Sequence, residues 1–149
     1  MTIIGAAPKM AIPTFIYFFF AIIVDHLYYP IFKITLTHYL TLVIIGNILI
    51  LIGACLIINV ARKLIKSFKS NLLMTDGLYT VFRNPMYATY LIFVFPGLSL
   101  ILNSWLVMTT FIVNFILLQV FIKEEYQYLE EKFGDEYKTY LNKVWFKFL

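Results

Sequence analysis

Long apolar runs dominate this sequence and limit what it can fold into. Four of them follow one another, at about residues 10–32, 39–60, 86–102 and 105–122. A helix of about 20 apolar residues crosses a hydrocarbon core of about 30 Å. Hydrophobic residues make up 62% of the chain and charged residues 13%, whereas a soluble domain averages about 45–50% and about 25%. We therefore predict an all-α membrane protein with about four transmembrane helices.

The polar residue types argue against nucleic-acid binding and metal binding. The net charge is +4, but the basic residues lie between and beside the apolar runs, where they act as topology signals, so nucleic acid is not an expected partner. His26 and His38 are too few and too far apart for a zinc site, and we predict no metal. Cys55 lies inside an apolar run and is interpreted as a buried packing residue.

Lysine and arginine residues predict the orientation. They concentrate in the loop at residues 61–85 and in a charged, helical tail at residues 123–149, whereas Lys33 stands alone between the first two runs and none lies between the last two. Cytoplasmic loops are enriched in these residues. We therefore predict that both termini, the loop and the tail are cytoplasmic, in a bacterial or archaeal inner membrane.

Small and polar residues within the runs predict how the helices meet. Gly46, Gly53 and Ala54 share one face of the second run, which favours close helix contact. Asn47, on the same run, is interpreted as a donor between helices. Pro96-Gly97 predicts a kink in the third run, and Gly134 predicts a break in the helical tail.

The loop between the second and third runs has the pattern of a small-molecule site. Thr75-Asp76-Gly77 is typical of a turn in which Gly77 adopts a positive φ or lets a ligand approach the backbone. Asn84-Pro85 is typical of the N-cap and first residue of a helix. The start of that helix, with Arg83 beside it, suits a carboxylate or phosphate group.

Aromatic and acidic residues complete this predicted site. Tyr79 and Tyr87 offer ring faces to a cation or a purine. Glu124 and Glu125 follow directly on the fourth run, on the same predicted side as the loop, and would place negative charge beside Arg83. Each residue alone is better explained by lipid contact or interfacial anchoring. Together they predict a site for a ligand with cationic, carboxylate and hydroxyl groups.

The second half of the chain carries four ordered motifs, over about residues 71–144. They are Leu73-Met74-Thr75-Asp76-Gly77-Leu78-Tyr79, Arg83-Asn84-Pro85-Met86-Tyr87, Glu124-Glu125 and Phe133-Gly134-Asp135-Glu136-Tyr137-Lys138-Thr139-Tyr140. This pattern resembles the isoprenylcysteine carboxyl methyltransferase family and the related bacterial and phospholipid methyltransferases. The resemblance implies one integral-membrane methyltransferase domain over residues 1–149. It also implies S-adenosylmethionine as the methyl donor, bound at the cytoplasmic face, and a lipophilic acceptor that enters from the bilayer.

The resemblance also implies residue roles. The predicted donor contacts are Asn71, Leu72, Leu73, Met74, Gly77, Tyr79, Asn84, Pro85, Met86, Tyr87 and Glu125. Arg83 and Glu124 are the predicted catalytic residues, and the acceptor is predicted to carry a carboxylate, thiol or amine. Methyl transfer is an in-line displacement, so alignment and exclusion of water carry most of the catalysis. Phe121 occupies the position of an arginine that contacts the substrate carboxylate in the eukaryotic enzymes, which argues against a prenylcysteine acceptor.

Two other functions fit the sequence less well. Membrane sterol reductases share a related C-terminal helical arrangement and bind NADPH instead, but this chain is short for that group. A non-catalytic bundle would keep the fold without turnover. The tail also has two interpretations: Tyr137, Leu141 and Val144 share one face, which either anchors the tail on the membrane or covers the donor.

Overall fold

The computed structural model describes residues 7–149, apart from the side chains of Ala7 and Phe68; residues 1–6 of the predicted domain lie outside this range. Within residues 7–149 the chain forms helices and no β-strands, which confirms the predicted all-α class. The elements are α1 (Ala7–Leu27), α2 (Tyr39–Ser70), α3 (Leu78–Val81), α4 (Pro85–Thr89), a π-helical segment (Tyr90–Val94), α5 (Phe95–Ile101), α6 (Trp105–Met108), α7 (Thr110–Phe121) and α8 (Lys123–Lys143).

The described helices include fewer full-length spans than the four predicted. Two are long and apolar enough to cross a membrane, Pro8–Leu27 and Tyr39–Ser67. A third is added if Trp105–Phe121 and Lys123–Lys143, which meet at a bend of 43°, form one span. The predicted third run forms the shorter apolar helix Pro85–Ile101. The difference arises because these last two helices are short, not because they lack apolar residues.

The outer surfaces of α1 and α2 are apolar. Only 17% of the apolar window of each helix is buried within the molecule, and side chains such as Phe19 and Leu51 are exposed. A surface of this kind is stable in lipid and unstable in water. Cys55 is on this exposed surface, so its predicted burial is wrong. Asn47 donates to the Val43 carbonyl of its own helix at 2.8 Å, so its predicted role between helices is wrong as well.

The α2–α5 contact depends on two glycines. A Cβ at Gly46 would lie 2.7 Å from the Gly97 carbonyl oxygen, and a Cβ at Gly97 would lie 2.9 Å from the Gly46 carbonyl oxygen. Gly53 lies against Phe93 and Val94 further along α2. The predicted close helix contact is therefore confirmed at Gly46 and Gly53, whereas Ala54 is exposed.

A π-helical segment precedes Pro96. The amide of Phe95 donates to the carbonyl of Tyr90, five residues earlier. Proline has no amide hydrogen, and its ring clashes with the carbonyl four residues before it. The predicted distortion at Pro96-Gly97 therefore takes the form of a local widening of the helix that begins one turn before the proline.

Two sets of contacts define the two ends of the bundle. At one end, the loops after α1 and α5 meet, where the Ile34 amide donates to the Asn103 carbonyl at 3.3 Å and the Trp105 amide to the Phe32 carbonyl at 3.0 Å. At the other end, Lys9 near the start of α1 pairs with Glu124 at the start of α8, at 2.6 Å. The loop at residues 71–84 lies at this second end, because Asn84 bonds to Tyr126 of α8.

Candidate functional site

The central loop begins where α2 stops. Asn71 has a φ of 55°, and its amide donates to the Ser67 carbonyl, which ends the helix. The Ser67 hydroxyl also bonds to the Leu72 carbonyl. The side chains of Asn71 and Leu72 are exposed, whereas Leu73 is half-buried. The loop is thus held at its start by α2, with Leu73 directed inward.

A lysine of α2 holds the middle of the same loop. Lys63 Nζ lies 2.5 Å from Asp76 Oδ2, and this contact lowers the pKa of Asp76, which is exposed. Gly77 has a φ of +65°, as predicted, and a Cβ there would lie 2.9 Å from Lys63 Nζ. Both the backbone conformation and the nearby ammonium group therefore favour glycine at this position.

The predicted helix start at Asn84-Pro85 is confirmed. Asn84 is the N-cap of α4 and Pro85 is its first residue. The Asn84 side chain makes no capping bond. Its amide instead donates to the Tyr126 hydroxyl at 2.6 Å, and Asn84 is buried. The side chain thus connects the loop to α8.

Arg83 lies between two tyrosines of α8. Its guanidinium carbon is 3.1 Å from the centre of the Tyr126 ring and 5.3 Å from that of Tyr137. Its Nε and Nη2 both donate to the Tyr137 hydroxyl, at 2.9 and 2.6 Å. A guanidinium gains both cation–π and hydrogen-bond energy in such a position. The arginine is therefore fixed by α8 and not free to move in solvent.

Glu125 lies close to several of the site's tyrosines. The Tyr87 hydroxyl donates to Glu125 Oε2 at 3.4 Å. Burial raises the pKa of Tyr79 to about 12, and the negative charge of Glu125 adds to the shift. Burial also raises the pKa of Tyr126 and of Tyr137, in each case against the opposing charge of Arg83 and with a smaller contribution from Glu125. A half-buried carboxylate among neutral phenols is a strong partner for a cation.

The second half of α8 packs on the central loop. The chain breaks helical geometry at Gly134, with φ of 49° and ψ of −120°, as predicted. Beyond that point Tyr137, Tyr140 and Val144 form a buried cluster against Leu73 and Tyr79 among other residues. The Tyr140 hydroxyl donates to the Tyr79 carbonyl at 2.9 Å. The tail therefore covers the loop with the face that carries Tyr137 and Val144.

A groove lies at the edge of this contact. Its volume is about 560 Å³, within the range of about 300–1,000 Å³ for ligand sites. It is lined by Thr75, Thr80, Asp135, Glu136, Thr139, Tyr140, Lys143 and Val144. Thr75 directly follows the loop segment predicted to bind the donor, so the groove adjoins that segment. Among the described residues, no group of three or more histidine, cysteine or acidic side chains is placed to hold a metal.

The structure brings together part of the predicted site. Four predicted residues meet where the loop contacts α8: Arg83, Asn84, Tyr87 and Glu125. Tyr79 is joined to them through α8, because its carbonyl accepts the bond from Tyr140. Glu124 points elsewhere, to Lys9 of α1.

Three residues of this arrangement were not predicted as site residues: Tyr126, Tyr137 and Tyr140. Their signals were present in the sequence, because Tyr126 directly follows Glu125 and the other two belong to the Phe-Gly-x-x-Tyr-x-x-Tyr motif. The motif identified the segment, but the contacts of each hydroxyl depend on the fold.

Comparison with protein families gives one clear match. A sequence model described as phospholipid methyltransferase covers residues 36–136, from just before α2 to the second half of α8. Comparison with curated proteins gives no significant match, and comparison with solved structures gives none either. The matched region includes the central loop, Arg83 to Tyr87 and the Glu124-Glu125 pair. The chain therefore belongs to the phospholipid methyltransferase family.

Proposed function

We propose that this protein is an S-adenosylmethionine-dependent methyltransferase that acts in the membrane on a small lipophilic acceptor. Membership of the family supports methyl transfer over the reductase alternative. The observation that carries the proposal is the contact of Tyr87 with Glu125. It joins two segments far apart in the sequence, beside the fixed pair Arg83 and Asn84, at one end of an apolar bundle.

The site's chemistry fits the donor, which supplies an electrophilic methyl group on a sulfonium cation and also carries an ammonium group, a carboxylate and a nucleoside. Glu125 would hold a positive group, and the rings of Tyr79 and Tyr87 would exclude water from it. Asn71 through Met74 and Gly77 would line the nucleoside side, next to the groove at Thr75. Asn84, Pro85 and Met86 would form the floor, at the start of α4.

Arg83 and Glu124 are the residues we propose for the acceptor. Arg83, held by Tyr126 and Tyr137, would anchor the polar group of the acceptor. Glu124, once it leaves Lys9, would take the proton that a thiol or amine loses on methylation. If the acceptor is a carboxylate, no proton has to move, and alignment alone would carry the reaction.

We also propose that the chain crosses the membrane four times, with both termini and the site on the cytoplasmic side. The loops after α1 and α5 meet, which supports an even number of crossings between those two loops. Lys9 likewise meets Glu124, which supports an even number of crossings between these two residues. The excess of lysine and arginine in the loop and tail supports the orientation.

Calorimetry on the purified protein tests donor binding. We expect S-adenosylmethionine and its demethylated product to bind at a micromolar level, and NADPH not to bind. Glu125→Ala and Tyr87→Ala should lower the affinity at least about tenfold, which is about 1.4 kcal/mol. Glu130→Ala and Tyr90→Ala are matched controls, because both residues are exposed on the same helical stretches. Absence of donor binding by the wild type, or equal loss in the controls, would contradict the proposal.

A labelled-methyl assay tests turnover. Protein in membranes is mixed with methyl-labelled donor and a total lipid extract, and the organic phase is examined for label. We expect a labelled lipid with the wild type and much less label with Glu125→Ala. Donor binding without any labelled product from lipid extracts would favour the non-catalytic alternative.

A further inference from the structure

Residues 144–149, which we name the strap, follow α8 and bind along the site by their backbone. The Phe146 amide donates to the Val81 carbonyl at 2.8 Å, and the Arg83 amide donates to the Phe146 carbonyl at 3.2 Å. The Asn84 amide then donates to the Leu149 carbonyl at 2.9 Å. The strap therefore satisfies the backbone amides of both Arg83 and Asn84.

The strap lies at the level where the apolar part of α7 ends. Gln119, in the last turn of α7, donates from Nε2 to the Phe148 carbonyl at 2.9 Å. Its neighbour Val120 is 58% exposed and belongs to the apolar outer surface of α7. The bonds from Gln119 and Asn84 thus satisfy the backbone carbonyl oxygens of Phe148 and Leu149.

The side chains of the strap separate into an inner and an outer set. Val144 is buried in the tyrosine cluster, and Phe146, although 41% exposed, stacks on Phe82 with ring centres 5.5 Å apart. Trp145 and Phe148 instead are 81% and 53% exposed. Lys147 is exposed beside them. An outer face of tryptophan, phenylalanine and lysine matches the composition of segments that lie at the headgroups of a membrane.

We propose that the outer face of the strap inserts into the headgroup region of an anionic leaflet, and that this lipid contact holds the backbone of Arg83 and Asn84 in place. Lipid is the partner, because α7 carries exposed apolar side chains such as Val120 next to Gln119, the residue that binds the strap at Phe148. In addition, Lys147 complements anionic headgroups. The predicted membrane face of the tail, Tyr137 and Val144, faces the loop instead. The membrane contact is made by the residues after it.

Fluorescence tests the insertion without relying on methyl transfer. The chain has two tryptophans, so Trp105→Phe leaves Trp145 as the only one. The full chain is reconstituted in vesicles of phosphatidylcholine and phosphatidylglycerol with acyl chains brominated at different depths. We expect blue-shifted emission from Trp145, quenched most by the bromines nearest the headgroups. Trp145→Phe, which leaves Trp105 at the start of α6, gives the matched signal from the opposite end of the bundle.

Two outcomes would overturn the insertion. One is emission typical of water with quenching by iodide and not by brominated lipid. The other is quenching by brominated lipid that stays the same when phosphatidylglycerol is left out and Lys147→Gln is introduced. Unchanged quenching would exclude a role for anionic headgroups. Either result leaves donor binding, and hence the proposed function, untouched.

Hydrogen exchange tests the coupling to the site. In the same vesicles, the variant Trp145→Asp/Phe148→Asp should exchange the amides of Arg83 and Asn84 at least about tenfold faster than the wild type, because the strap is repelled from the interface. Trp145→Phe should leave them unchanged. If these two amides stay protected from exchange in the double aspartate variant while the rest of the exchange pattern is native, the strap holds them without lipid contact. That result would overturn the coupling.

Discussion

Arg83 and Asn84 are adjacent in sequence, and both are fixed by side chains of α8. Tyr126 supplies a ring to the arginine and a hydroxyl to the asparagine, while Tyr137 accepts two bonds from the arginine. Hydrogen bonds to a charged group contribute about 1.5–3 kcal/mol. The polar residues of the loop thus gain their fixed geometry from the tail.

A double-mutant cycle between Arg83 and Tyr137 tests this dependence. Tyr137→Phe keeps the ring and removes the hydroxyl, and we expect turnover to fall by about 10- to 100-fold. In an Arg83→Met background the same change should have little further effect, because the bond is already absent. Methyl transfer and donor affinity are measured separately, with Tyr128→Phe on the same helix as the control. Additive effects of the two substitutions would exclude a positioning role for Tyr137.

The raised pKa of Tyr79 predicts a loss of stability at alkaline pH. Burial raises this pKa to about 12 from a usual value of 10.0, so the fold favours the neutral phenol. Its contribution to stability is complete below pH 10 and is lost as the pH rises through about 12. Near pH 11.5 the loss from this group is about 2 kcal/mol at most.

Denaturation of the purified protein at about pH 9 and at about pH 11.5 measures this loss. Tyr79→Phe has no phenol to ionise and should lose less stability over the same interval, whereas Tyr28→Phe, at an exposed position, should behave as the wild type. Equal losses in all three proteins would contradict the prediction.

The backbone conformation of single residues could be predicted from the sequence, whereas the hydrogen-bond and ion-pair partners of their side chains could not. The positive φ of Gly77 and the helix start at Asn84-Pro85 follow from the properties of glycine and proline. By contrast, the bond of Asn84 to Tyr126 replaces the expected side-chain cap, because a tertiary partner is available. The ion pair of Glu124 with Lys9 depends on how α1 packs against the bundle, and no local sequence pattern indicates this packing.

At the scale of elements, the contact of α2 with α5 depends on the absence of two side chains. The Cβ positions of Gly46 and Gly97 lie against each other's backbone carbonyls, and neither backbone can move without separating the helices. We therefore expect Gly46→Ala and Gly97→Ala each to destabilise the protein by about 1–3 kcal/mol.

Unfolding by a denaturing detergent measures these changes. Asn47→Ala is a suitable control, because Asn47 is exposed and bonds within its own helix. We expect that variant to remain close to the wild type. If Gly46→Ala and Gly97→Ala were as stable as the wild type, the two helices would not approach each other as closely as the structure shows.

The interruptions of the last two apolar runs were only partly predictable. Pro96 indicates a distortion, but its type depends on which carbonyls find partners, and here a π-helical segment absorbs it. The break between α6 and α7 at Thr109 has no glycine or proline to announce it. Hydropathy is averaged over many residues, so it identifies the apolar runs and does not detect the helix breaks within them.

At the scale of the whole molecule, α1 lies outside the family match and is still part of the site's scaffold. The match begins at residue 36. Within the bundle, Asn114 of α7 donates to Thr14 at 2.9 Å, and Tyr17 bonds to Thr109 at 2.7 Å. Met10 packs in the same apolar cluster as Leu118 and Tyr87. Loss of α1 would therefore disturb the residues beside Glu125.

The arrangement of loops at the two ends of the bundle predicts the topology. The proposed four crossings place Ser70 and Lys147 on the cytoplasmic side and Thr37 on the other. Cysteines are introduced one at a time at these positions in a Cys55→Ser background, which removes the native cysteine. A membrane-impermeant maleimide added to intact cells should label only Thr37→Cys, and in inverted vesicles it should label only the other two. Labelling of Ser70→Cys and Lys147→Cys from opposite sides would separate the loop from the tail. Because Glu125 reaches Tyr87 only if both lie on one side, that result would also remove the basis for the proposed donor site.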